Sequence, residues 1–253
     1  MDLMDLMVLI PCALAVGLTM GLLGSGGSIL TVPILVYLMG QNEKVAIASS
    51  LAIVGAVAAL TTLLNLRDRS INWRTAIWFG VPGVMGTYLG AGLSQFASGS
   101  VQLMVFATVM LLSAFFMFRP PKFKPVAGDQ KLWAIVTEGL MIGVLTGFVG
   151  VGGGFLIVPA LVLLGGLSMT AAAATSLVII AVKSAAGLVK YLELLEESAL
   201  SLDWALILIF VGLGLLGSFF GRKLGRVIEQ RRAEQVFSVF LVAIAGWILS
   251  QSL

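Results

Sequence analysis

The chain has 253 residues, 59% of them hydrophobic and 11% charged, with a mean hydropathy of +1.09 and a formal net charge of +3. Soluble domains are roughly half apolar and a quarter charged, so this composition excludes an ordinary soluble protein and marks an integral membrane protein. With no histidine and one cysteine, Cys12, the chain also lacks the means for His-based acid–base catalysis, a His/Cys metal site or an internal disulfide.

Its apolar runs match the roughly 20 residues that cross the hydrocarbon as a helix. They are rich in Leu, Ala, Met and Gly rather than alternating in polarity, which argues against a transmembrane barrel. The expected fold is all-α and polytopic. The first helix is predicted at about 3–23. Asp2 and Asp5 stand where a secretory signal would carry basic residues, so this segment is expected to remain in the mature structure.

It runs into Gly24-Ser-Gly-Gly-Ser-Ile-Leu-Thr-Val-Pro33, which recurs as Gly150-Val-Gly-Gly-Gly-Phe-Leu-Ile-Val-Pro159, the prolines 126 positions apart. The same offset superimposes Gly17 on Gly143, Gly21 on Gly147 and Ser50 on Ser176. A duplicated unit follows. Clustered glycines and a proline cannot continue a regular helix, so each copy is a helix break, with the residues before its proline expected to be partly unwound. At membrane depth such backbone persists only where it is buried in protein or lines a cavity.

After each break about 12 residues remain before the next loop, roughly 18 Å of helix at 1.5 Å per residue, against about 30 Å of hydrocarbon. The short helix should therefore begin near mid-membrane. Its first turn presents unpaired N–H groups and the positive end of the helix dipole, an anion site. Gly24, Ser25, Gly26, Gly27 and Ser28 in the first copy, and Gly150, Gly152, Gly153 and Gly154 in the second, are the candidate binding residues. Asn42 and Ser168 are expected to cap the following helices, at about 43–66 and 169–191. Ser49, Ser50, Thr175 and Ser176 lie two turns inside them. Their hydroxyls can return toward the short helix as donors to a substrate, or bond backbone carbonyls one turn earlier.

Further helices are expected at about 75–94, 101–118, 132–149, 204–221 and 235–252, with a short one at 155–166; a five-residue insertion near 193–200 shifts the repeat. Gly80, Gly83, Gly86 and Gly90, with Gly214, Gly217 and Gly221, are spaced for close helix packing. Lys183 falls well inside a span, where it can act as counter-charge to an anion, carry a proton, or snorkel to the interface. Glu138 is expected near an interface.

Twelve of the 15 Lys and Arg residues gather in the loop around Arg67, Arg69 and Arg74, in the stretch from Arg119 to Lys131, and in the last loop from Arg222 to Arg232. By the positive-inside rule these loops are cytoplasmic and both termini lie outside. Each half then makes an odd number of crossings, which gives two inverted repeats of about five helical segments, 1–118 and 132–253, joined by a cytoplasmic linker at 119–131. Inverted repeats with paired broken helices are the architecture of secondary transporters.

The repeated glycine–proline stretches, each followed by a short helix and an Ala-rich stretch ending in Ser-Leu, resemble the sulfite exporter TauE/SafE family of bacterial membrane permeases along essentially the whole chain. Ser25 and Ser28 depart from the pure glycine run of the second copy. The resemblance implies export of small sulfur-containing anions such as sulfite or organosulfonates across the inner membrane, driven by the proton gradient. The residues themselves support an anion held between two inverted halves, with the lipid bilayer as surroundings and no cofactor, metal, catalytic residue or nucleic acid. An uptake permease or channel for another small anion, or a non-transporting scaffold, are the other readings, and homo-oligomerisation stays open.

Overall fold

The computed structural model describes residues 3–23, 26–65, 70–118, 132–163, 165–225, 227–228 and 230–252. Gly24, Ser25 and the linker at 119–131 lie outside these. The helices are α1 (Leu3–Leu23), α2 (Thr31–Pro33), α3 (Glu43–Asn65), α4 (Trp73–Leu93), α5 (Gly99–Phe118), α6 (Leu132–Val149), α7 (Gly154–Leu163), α8 (Met169–Glu197), α9 (Trp204–Gly225) and α10 (Gln230–Ser252). Among the described residues there is no strand. Among the described residues six helices are long and apolar enough to cross a membrane, and the protein is an all-helical, multi-pass membrane protein.

The unwinding expected around Pro33 takes a definite form. Residues Gly26–Leu30 are a tight 3₁₀ helix, α2 is a single turn, and Ile34–Leu38 is a wider π turn. A helix that meets proline must give up a backbone hydrogen bond, and here the chain spreads that loss over two changes of pitch. In the second copy Pro159 lies inside a regular α7. Both copies then stop in the same way: Gly40 and Gly166 have φ of +64° and +59°, and the next residues, Gln41 and Leu167, donate back to Leu35 and Leu161 carbonyls at 3.0 and 3.1 Å. This is a glycine-terminated helix end, which satisfies carbonyls the helix would otherwise leave bare.

The capping residues act as expected. Asn42 Oδ1 accepts from the Lys44 N–H at 3.0 Å, and Ser168 caps α8. Three boundaries differ by four residues or more: α9 ends at Gly225 rather than 221, α10 starts at Gln230 rather than 235, and α8 runs past 191. The insertion near 193–200 is not a loop but two further turns of α8, which ends at Glu197.

Helix pairing crosses between the halves: α1 packs on α9, α6 on α4, α3 on α8, and α5 on α10. Glycine sets the closeness of the first two pairs. A Cβ on Gly217 would lie 2.9 Å from the Leu18 nitrogen, and one on Gly86 the same distance from the Val144 nitrogen. Gly90 and Gly221 sit against the Val144 and Leu18 carbonyls in the same manner. With no hydrophobic drive between helices in lipid, this backbone approach supplies the packing that holds them together. Gly80 does not take part, its nearest neighbour being a side-chain carbon of Ile179 at 3.8 Å.

The same contacts give direction. Along α1 and α9 the paired positions rise together, Gly17 meeting Gly214 and Gly21 meeting Ser218, so these helices run the same way. So do α4 and α6, where Phe79 meets Gly139 and Thr87 meets Gly147. In α3 and α8 the order reverses: Gly55 meets Ser184 while Leu51 meets Gly187. α8 runs with α4, through Gly83 on Lys183 and Thr87 on Gly187.

Candidate functional site

The second break is built from the end of α6. The Thr146 carbonyl accepts from the N–H groups of Gly150 and Val151, at 2.8 and 3.2 Å, which closes the helix around Gly150 at φ +75°. Gly152 and Gly153 follow at φ +45° and +76°. A residue with a Cβ is strained in this left-handed region, so three glycines in four positions let the chain turn sharply and restart as α7. The glycines also make room. Ile47 lies against Gly150, the Thr146 side chain against Gly153, and Ser184 and Val54 against Gly152.

The bare N–H groups expected at the start of α7 are partly used. Those of Leu156 and Ile157 both reach the Gly153 carbonyl, at 3.0 and 3.1 Å, and that of Gly153 goes to Val151. The positive end of the short helix remains, and the polar groups pointing at it are side chains.

Lys183 is the chief of these. It is 0% exposed, and its Nζ donates to Thr146 Oγ1 at 3.1 Å. Its stem passes over Gly83 of α4, where a Cβ would sit 3.1 Å from Cδ. The side chain is held inside the bundle and does not run out to an interface. Lys190, two turns on, is the residue that reaches outward, pairing with Glu193 at 2.7 Å. That is the sole ion pair among the described residues, so Lys183 has no carboxylate partner there. Glu138 is half-buried on α6.

Beside Lys183, Ser184 is also fully buried, and its hydroxyl has no hydrogen-bond partner among the described residues. Its Oγ is 3.0 Å from where a Cβ of Gly152 would be, so it faces the break. The hydroxyls of Ser49 and Ser50 are likewise buried without a partner. Ser50 shares a face of α3 with Ile47 and Val54, three residues after one and four before the other, and these two touch Gly150 and Gly152. Ser50 thus lies on the face of α3 that packs against the break of the opposite half.

Thr175 and Ser176 have other employment. Thr175 Oγ1 accepts from the Asn72 N–H at 3.0 Å, steadying the start of α4, and Ser176 Oγ donates to the Ala173 carbonyl of its own helix at 2.8 Å. At the first break, Gly26 and Gly27 lie in the 3₁₀ helix, which packs against α7. Gly27 is where the chain presses on α1, since a Cβ there would meet the Met20 nitrogen at 2.5 Å. Ser28 is buried. Positive φ occurs at the second break and not among the described glycines of the first.

Two groups of functional weight carry little sequence signal. Thr146 is one hydroxyl in an apolar helix, recognisable only by its place four residues before Gly150. The other is a cluster behind the break. Tyr191 OH and Gln102 Nε2 both donate to the Phe148 carbonyl, at 3.0 and 2.6 Å, and Gln102 Nε2 also donates to Tyr191 OH at 2.8 Å. Phe148 belongs to the last turn of α6, whose carbonyls lose their helical partners at the break. Tyr191 and Gln102 restore that loss and tie the end of α6 to α8 and α5.

Sequence comparison agrees with this architecture. The model of the family described as "Sulfite exporter TauE/SafE" matches residues 9–248. A probable membrane transporter protein of Xylella fastidiosa is 29% identical, over 100% of this chain and 98% of its own length. One of Methanocaldococcus jannaschii is 25% identical over 96% and 94%, and one of Bacillus subtilis 25% identical over 90% of each. No solved structure matches the chain. With a family match over nearly its full length, the chain belongs to the sulfite exporter TauE/SafE family of membrane transporters.

Proposed function

We propose that the protein is a secondary transporter that exports small sulfur-containing anions, such as sulfite or organosulfonates, across a bacterial inner membrane at the expense of the proton gradient. The observation that carries the anion is Lys183: a fully buried lysine with no described carboxylate, whose one hydrogen bond goes to Thr146, the residue that lies against Gly153 just before α7. A buried charge is costly unless it is paired, and a transported anion is the partner this site lacks. The sulfur rests on the family, whose description names sulfite.

The two halves act as inverted repeats around the site. What supports this is the direction of the helices: Val57 meets Gly214 and Thr61 meets Ser218, so α1, α3 and α9 run one way and α4, α6 and α8 the other, and α1 opposes its counterpart α6, α3 opposes α8 and α4 opposes α9. Alternating access by rocking of one half against the other is the motion such a design allows. Arg222 and Lys223 end α9, and Gly21 near the end of α1 touches the Arg222 backbone. By the positive-inside rule that end of both helices is cytoplasmic and the N-terminus lies outside.

The test is flux. Protein in liposomes should move sulfite or a sulfonate saturably, respond to an imposed pH gradient, and deliver the molecule chemically unchanged. Conversion of the anion would make the protein an enzyme, and no flux of any anion through folded protein would reject transport.

A further inference from the structure

The two breaks are related by duplication, but they are not chemically alike. Ser184 meets Gly152 and Thr146 meets Gly153 of the second break, and Lys183 is tied to it through its hydrogen bond to Thr146. The positions 126 earlier hold Val57, Ala58 and Met20. Val57 is buried and packs on Gly214, and Ala58 and Met20 are buried as well. Lys183 is the one fully buried cation among the described residues; Lys44, Arg74, Lys190, Arg222, Lys223 and Arg231 all reach solvent or lipid.

We infer that the protein binds one anion per chain, at the second break, and that this site selects a single negative charge: a sulfonate or a singly charged oxyanion rather than a dianion. The inference rests on the anion-transport reading above. One ammonium and one helix N-terminus offset one buried negative charge. The unpartnered Ser184 hydroxyl, aimed at Gly152, supplies a hydrogen bond to an oxyanion oxygen but no charge. A second negative charge would be buried without compensation, which is the costly case for any ion in a low-dielectric interior. For sulfite the form bound is then hydrogen sulfite.

Three tetrahedral sulfur compounds of similar size separate charge from shape: dimethyl sulfone (neutral), methanesulfonate (one charge) and sulfate (two). Titration calorimetry on purified protein should give one methanesulfonate per chain, bound at least tenfold more tightly than sulfate or the sulfone. Lys183→Met should remove the advantage of methanesulfonate over the sulfone. Ser184→Ala should weaken methanesulfonate while keeping the order of the three. Sulfate binding as well as methanesulfonate, two anions per chain, or a preference for methanesulfonate that survives Lys183→Met would each overturn the inference while leaving anion transport standing. Binding of none of the three by folded wild-type protein would instead reject the anion reading on which it rests. Elution as a single species in size-exclusion chromatography establishes folding for each variant.

Discussion

Replacing Lys183 should raise stability without ligand, and ligand should cut or reverse that advantage. The ammonium is 0% exposed and makes one hydrogen bond, to Thr146. Its burial costs several kcal/mol after relaxation, and a hydrogen bond to a charged group returns about 1.5–3 kcal/mol. Methionine keeps the unbranched shape and avoids a cavity, so in anion-free buffer Lys183→Met should stabilise the protein by about 1–4 kcal/mol, the burial cost less the hydrogen bond. Ligand changes the balance. At 100 times its Kd, methanesulfonate should add about 2.7 kcal/mol to the wild type by mass action and nothing to the variant. Thermal unfolding in detergent, followed at increasing methanesulfonate, reads both effects. A variant less stable than wild type without anion, yet still stabilised by it, would refute the reasoning, because Lys183 would then be a structural group satisfied within the fold.

Gly86→Ala should cost about 1–3 kcal/mol of thermal stability, since the added Cβ pushes against the α6 backbone at Leu140, while the shift caused by methanesulfonate stays as in wild type. Gly153→Ala combines φ +76° with an added Cβ that displaces the Thr146 side chain; titration should show methanesulfonate binding weakened by tenfold or more. Tyr191→Phe removes a donor from the Phe148 carbonyl and should lower stability in denaturant or thermal unfolding by about 1–2 kcal/mol. A reporter enzyme active only outside the cytoplasm, fused after residue 253, should be active, in keeping with an extracytoplasmic C-terminus.

Much of the fold could be read because its causes are local. Gly40 and Gly166 end their helices through left-handed conformations that only glycine adopts without strain, Asn42 and Ser168 cap the next ones, and Pro33 forces the pitch changes around it. The extension of α8 to Glu197 was not legible, because Glu193 to Ser198 are as compatible with a polar loop as with exposed helical turns. The site was legible only in part. Repeated glycines and a buried lysine stand out in an apolar chain, but which surfaces meet is decided by tertiary pairing. Ile47 and Val54 reach the break of the opposite half because α3 packs on α8, and Thr175 is taken up by the backbone of Asn72, 103 residues away. Neither relation has a periodic or spacing signature. Thr146 matters through Lys183 and Gly153, and its significance exists only once α6 and α8 are in place.

The most direct measurement is the accessibility of the second break from the two sides of the membrane. With Cys12 replaced by alanine, Ser184→Cys places one thiol, nearly isosteric with the native hydroxyl, against Gly152. In oriented vesicles, a membrane-impermeant thiol reagent added to one side or the other should modify it from each, and methanesulfonate should slow both reactions. Protection of the thiol from neither side by the anion, or no modification from either side, would contradict an anion site that opens alternately across the membrane.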